Sequence, residues 1–184
     1  MDGITTKDAM VPLDEYTTIS HKATLYDAIQ SLDCARQRTD VRISEHRSVI
    51  ILDDNGKVVG KLTYRDILRG LEPRYDNVGD VEKMERFGLS KEFITFMRKH
   101  FGLWEGSFQD LCQKAVGTIV EDILEPPAPH LFVDADAPIV DAVHQLMVGT
   151  DMALLVTSGD DVVGILRLID AFHLVCEEIK ACKI

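Results

Sequence analysis

The chain has 184 residues, of which 46% are hydrophobic, and a formal net charge of −11. That is ample apolar material for a packed core. No apolar run approaches the roughly 18 residues that span a bilayer, and the acidic balance argues against nucleic acid, whose phosphates clustered Lys and Arg would have to neutralise.

The N-terminus, Met1-Asp2-Gly3-Ile4-Thr5-Thr6-Lys7-Asp8, carries neither the basic nor the apolar block of a secretion signal. The four cysteines (Cys34, Cys112, Cys176, Cys182) form no C-x-x-C pair and fall in helix-like patterns. The expectation is a cytoplasmic protein whose thiols are reduced and packed as small hydrophobes. The first helical pattern follows: Leu25, Ala28, Ile29 and Leu32 recur at i, i+3, i+4 and i+7, which gives one buried face, and Thr24 with Asp27 forms a capping signal. Arg36, Arg38, Arg42 and Arg47 then place four arginines within twelve residues of an acidic chain. Residues Ser48 to Leu52 and Lys57 to Leu62 read as a β-hairpin around Asp53-Asp54-Asn55-Gly56, because Asn-Gly is a strong hairpin signal. The second strand runs into Gly60-Lys61-Leu62-Thr63-Tyr64-Arg65-Asp66-Ile67, whose Asp66 stands where an opening helix leaves backbone N–H groups unpaired.

Residues 72–117 change character. They hold five of the seven phenylalanines (Phe87, Phe93, Phe96, Phe101, Phe108) and the only tryptophan, Trp104. Phe93, Phe96, Met97, His100 and Phe101 follow a helical period from a Ser90 cap, and a second helix is predicted from about Ser107 to Ala115. A tether would be polar and rich in Gly and Ser, so this segment is expected to bury its rings. It does so either as an α-hairpin packed on its own module or a dimer mate, or it forms an exposed docking surface for a partner. Pro126-Pro127-Ala128-Pro129 shapes the crossover that follows. A helix with Ile139, Ala142, Val143 and Leu146 on one face comes next, with Pro138 in its first turn. A second hairpin, Ala153 to Val156 and Asp161 to Leu166 around Thr157-Ser158-Gly159-Asp160, leads to Gly164-Ile165-Leu166-Arg167-Leu168-Ile169-Asp170-Ala171.

The second half therefore repeats the first. Asp8-Ala9-Met10 matches Asp122-Ile123-Leu124, and the apolar helix positions match, at an offset of 114. The hairpins match at 104, which leaves ten extra residues in the first copy, roughly Arg36 to His46. Each unit reads strand, helix, strand, strand, helix, and has an open sheet face that it cannot bury alone. Two copies stacked sheet to sheet about a pseudo-twofold axis solve that problem and leave two related clefts. The predicted fold is α+β, with a first repeat over 1–71, a helical insertion over 72–117 and a second repeat over 118–184.

The doubled pattern G-h-h-[T/S]-x-x-D-h entering a helix, with matching helices and hairpins, resembles a tandem pair of CBS domains, the Bateman module, over about residues 6–71 and 118–182. The resemblance implies clefts that bind an adenosine-containing ligand: AMP, ADP or ATP, with S-adenosylmethionine and NAD as further members of that class. It implies that the motif Asp holds the ribose hydroxyls and the Thr hydroxyl meets ribose or phosphate, which suits an acceptor-only carboxylate and a compact hydroxyl donor. Carried over, the first site is Thr63 and Asp66, with Leu131, Phe132 and Met152 of the second repeat facing the adenine. The second site would combine Arg167 and Asp170 with Thr17, Thr18 and the neighbourhood of Arg47. Arg167 stands where the family has a hydroxyl, so this site is either selective for phosphate or closed. The arginine run is either a solvated face or a loop over that second cleft.

The six histidines are scattered, and there is no H-E-x-x-H, P-loop, G-x-G-x-x-G or G-x-S-x-G pattern. No enzyme, metal or cofactor is expected. The reading is a stand-alone regulatory module that binds adenine nucleotide and transmits occupancy to a partner protein or to its own oligomeric state, as a homodimer. The alternative is a ligand-free dimerisation or partner-interaction module.

Overall fold

A threonine and an aspartate three residues apart start the helix of the first repeat. Thr24 N donates to Asp27 Oδ2 at 2.8 Å and Asp27 N donates to Thr24 Oγ1 at 3.2 Å, a reciprocal cap of the kind that contributes about 1 kcal/mol. The helix it opens, α2 (Leu25–Arg36), buries Leu25, Ala28 and Leu32 as its apolar spacing requires. This computed structural model describes residues 3–37, 47–78 and 90–181. Arg38, Arg42, Phe87 and Cys182, and most of the ten-residue expansion, lie outside them.

Strand β2 (Thr18–Ser20) runs parallel to β3 (Ser48–Leu52), which pairs antiparallel with β4 (Val58–Thr63), and α3 (Tyr64–Leu71) follows directly. The turn between β3 and β4 uses Gly56 at φ +77 and is tied by Asp53 Oδ1, which accepts from Asn55 N and Lys57 N. The second repeat follows the same order with β5 (Phe132–Asp134), α6 (Ile139–Val148), β6 (Ala153–Ser158), β7 (Asp161–Arg167) and α7 (Leu168–Ala181). Pro138 caps α6 from outside rather than lying in its first turn. Ser48 stands opposite Thr63 and Ala153 opposite Arg167, so the second hairpin's turn is one residue shorter than the first. A single offset therefore does not relate the hairpins.

The short lead-in before each repeat sits on the other repeat. Helix α1 (Thr6–Ala9) and strand β1 (Val11–Pro12) dock on the second repeat: Thr6 N donates to Ala137 O at 2.9 Å, and β1 pairs antiparallel with β7 to complete a sheet of order β1-β7-β6-β5. In return, Val120 N donates to Ala23 O at 2.9 Å and Glu121 N to His21 O at 3.0 Å. Met10 lies over Gly164 and Leu124 over Gly60, the same contact made twice.

Three apolar layers result. One lies between the first sheet and its helices (Leu25, Val49, Ile51, Leu62, Ile67), and one between the second sheet and its helices (Ile139, Leu146, Leu154, Val156, Leu166). Between the sheets lie Val11, Tyr16, Ile50, Leu155 and Ile165. This is the stacked-sheet architecture expected from two units with open faces.

The insertion forms α4 (Lys91–His100), capped by Ser90 as the sequence predicts, and α5 (Phe108–Gly117), which starts where expected and is capped by Ser107. Helix α5 packs on α2 and α3. Phe93 and Phe101 pack around Val78, Met97 and Leu103, but Phe96 is 58% exposed and Phe108 87%. The expectation that the segment buries its rings thus holds for only some of them. The expectation of buried cysteines is corrected too: Cys34 and Cys112 are exposed and Cys176 is half-buried, all three unpaired in disulfides. Among the described residues no helix is long and apolar enough to cross a membrane.

Candidate functional site

Thr63 ends β4 and caps α3 by the same reciprocal device that opens α2. Thr63 N and Thr63 Oγ1 both donate to Asp66 Oδ2 at 2.7 Å, and Asp66 N donates to Thr63 Oγ1 at 3.3 Å. The cap uses Oδ2 alone; Asp66 Oδ1 takes no part in it. Asp66 itself is half-buried.

The equivalent corner of the second repeat is built differently. Arg167 Nε donates to Asp170 Oδ2 at 2.6 Å and Arg167 Nη2 to Asp170 Oδ1 at 2.5 Å, while Arg167 N also points to Oδ2 at 3.2 Å. This is the planar fork that guanidinium makes with carboxylate, and it engages both oxygens. The two side chains are 4% and 8% exposed.

The crossed lead-in brings Tyr16 to this second corner. Tyr16 is 6% exposed, and its Oη lies 3.1 Å from Ser48 Oγ on β3. Burial raises the Tyr16 phenol above its ordinary pKa, opposed by the Ser48 hydrogen bond and the neighbouring Arg167 charge. The phenol is therefore neutral at physiological pH. Of the residues expected here, Thr17 accepts from Ile50 N through its carbonyl at 2.9 Å, whereas Thr18 and Arg47 are exposed. Sequence reasoning missed Tyr16 and Ser48. The available signal was that Tyr16 directly precedes the two threonines and is the one aromatic residue in the first lead-in.

At the first corner, the position corresponding to Tyr16 is His130, whose side chain is 65% exposed. The link from β4 to the second repeat runs through Lys61, whose Nζ lies 2.9 Å from Asp151 Oδ1, and Asp151 Oδ2 lies 3.5 Å from His130 Nε2. Leu131 is buried in a 3-10 turn, Phe132 packs at the inter-sheet core, and Met152 is 64% exposed with its carbonyl accepting from Leu168 N at 2.9 Å. Met152 is thus tied through its backbone to the start of α7, and Lys61 is the residue of the first corner's strand that reaches its neighbour Asp151. Among the described residues no group of three or more His, Cys, Asp or Glu could hold a metal ion.

Two strand-helix-hairpin-helix repeats with exchanged lead-ins, stacked sheets and a motif corner apiece define a pseudo-twofold module of the Bateman type. The CBS domain profile matches residues 7–73 and 120–177. The chain belongs to the CBS domain family. Its fold is similar to that of the CBS-pair protein CBSX2 from Arabidopsis thaliana, at 18% identity over 98% of this chain and 99% of that one, with a TM-score of 0.63. A structure of CBSX2 in complex with AMP is similar at 18% identity, 96% and 99% coverage and a TM-score of 0.61. The CBS domain of a bacterial CNNM/CorC family Mg2+ transporter in complex with ATP is similar at 16% identity, 94% and 87% coverage and a TM-score of 0.58. No curated protein sequence matches the chain.

Proposed function

We propose that this chain is a non-catalytic regulatory module that binds an adenine nucleotide at the Thr63–Asp66 corner and passes its occupancy to a partner protein or to its own association, in the cytoplasm. The observation that carries this reading is the unequal use of the Asp66 carboxylate: Oδ2 closes the cap and Oδ1 remains for a ligand. An acceptor-only oxygen beside a helix start is suited to vicinal ribose hydroxyls, and the Thr63 hydroxyl, whose one proton goes to Asp66 Oδ2, accepts from ribose or turns from that bond to donate to phosphate. Leu131, Phe132 and Met152 are assigned to the adenine side, with the Lys61–Asp151 pair at its border. Support comes from the fold shared with proteins solved with AMP and with ATP. The reading is binding without turnover.

Calorimetry with AMP, ADP, ATP, S-adenosylmethionine and NAD tests it. Wild-type protein is expected to bind at least one of the three adenine nucleotides. Asp66→Ala is expected to weaken that binding about 30-fold, the loss of about 2 kcal/mol of charge-assisted hydrogen bonding. Unchanged affinity in Asp66→Ala would move the ligand elsewhere, and no binding of any nucleotide at millimolar concentration would end the proposal.

The homodimer is assigned to the helices of the second repeat. Val140, Met147 and Val148 of α6 and Phe172 and Ile179 of α7 are exposed apolar residues, whereas α5 packs on the corresponding helices of the first repeat. A bare apolar face of this kind marks an association surface. Light scattering is expected to show a dimer for the wild type and a monomer for Met147→Asp/Phe172→Asp. A double variant with unchanged mass would place the contact elsewhere.

A further inference from the structure

We infer that the second cleft is closed from within: Arg167 takes the ligand's place on Asp170, so that each chain binds one nucleotide and not two. The inference rests on the nucleotide reading of Asp66. Its ground is a comparison the molecule makes with itself. The two aspartates occupy equivalent positions three residues after equivalent strand ends, yet Asp66 gives one oxygen to its cap and Asp170 gives both oxygens to Arg167. A ribose arriving at Asp170 would find no oxygen uncommitted.

The surroundings point the same way. The Arg167–Asp170 pair is almost fully buried, and Tyr16 and Ser48 bond to each other beside it, both inside the protein. The positions corresponding to these two in the other repeat are His130, exposed, and Ala153, which has no hydroxyl. One corner is walled and the other is open. The alternative in which Arg167 grips a ligand phosphate sets a second anion beside the buried Asp170 carboxylate, which already holds Arg167 Nε and Nη2.

Binding stoichiometry measured by calorimetry and equilibrium dialysis with AMP and with ATP decides the matter. Wild-type protein is expected to bind one nucleotide per chain. Arg167→Thr restores the Thr-x-x-Asp pattern of the first corner and is expected to bind two. Two nucleotides on the wild type, or one on a folded Arg167→Thr, would overturn the inference. Should Arg167→Thr fail to fold, Asp66→Ala answers instead: all binding weakened about 30-fold supports closure, and one nucleotide per chain retained at wild-type affinity overturns it. A wild type that binds no nucleotide defeats the reading of Asp66, and closure is then judged separately by whether Arg167→Thr gains one.

Discussion

Replacing Glu72 by alanine is expected to lower the thermal midpoint by about 6–12 °C, the consequence of losing about 3 kcal/mol in a chain of this length. Glu72 follows α3 directly and is 1% exposed. Its Oε1 accepts from Arg74 Nε at 2.6 Å, and its Oε2 accepts from Arg74 Nη2 at 2.7 Å and from Trp104 N at 2.8 Å. Trp104 holds a left-handed φ of 58, unfavourable for a bulky residue, and the carboxylate is what fixes it. Lys114 Nζ donates to Leu71 O at 3.1 Å, and Trp104 Nε1 donates to Tyr75 Oη at 3.0 Å, so the carboxylate is the centre of a joint between the insertion and α3. The Arg74 bonds, with smaller help from Trp104 N and against the pull of burial, hold the Glu72 carboxyl at about 2 instead of 4.5. Because the folded value is depressed, this contribution is complete above about pH 4.5 and is lost as the pH falls toward 2. Thermal melts between pH 7 and pH 2 should therefore show an acid limb that Glu72→Gln flattens. An identical limb in that variant would remove Glu72 from the joint.

Nothing local in the sequence announces that joint. What was legible was what neighbouring residues decide between themselves. The Thr24–Asp27 and Ser90 caps are read directly from spacing, the Asn55-Gly56 turn from composition, and the repeat from the doubled motif with its matching helices and hairpins. The exchange of lead-ins was not legible, because Thr5 pairs with Pro138 and Thr24 with Ile119 across distances that no periodicity records. Exposure of Phe108 escaped for a related reason: helical spacing shows that a face is apolar, not which neighbour covers it. Cys34 falls off the stripe that Leu25, Ala28, Leu32 and Ala35 bury, so closer attention to phase would have placed it outside. At the candidate site, the Arg167-x-x-Asp170 spacing left the corner open to two readings, and the fork at 2.5–2.6 Å is what separates them.

The larger of two glycine effects should fall on Gly164. A Cβ there would stand 2.5 Å from Met10 Sδ and 2.7 Å from Val11 O, whereas one at Gly60 would meet only the end of the Leu124 side chain, at 2.9 Å. A side-chain tip can rotate away, but the Val11 carbonyl belongs to β1, which is held to β7 by the pairs Val11–Ile165 and Pro12–Gly164. Gly164→Ala must therefore push β1 off the sheet edge, at a cost of about 2–3 kcal/mol, while Gly60→Ala costs under about 1.5 kcal/mol. The two glycines open the two motifs at equivalent positions, so a role confined to ligand binding would not rank them in this order. Displacement of β1 also loosens Tyr16, four residues beyond Pro12, which packs between the sheets beside Arg167. Hydrogen exchange is the discriminating measurement: Gly164→Ala should lose protection at Val11 and Ile165 and at the Arg167 corner, and Gly60→Ala should leave all three protected. Equal midpoints and equal exchange in the two variants would mean that the exchanged lead-ins hold the two repeats with equal tolerance, and that the backbone contact at Gly164 does not govern the second corner.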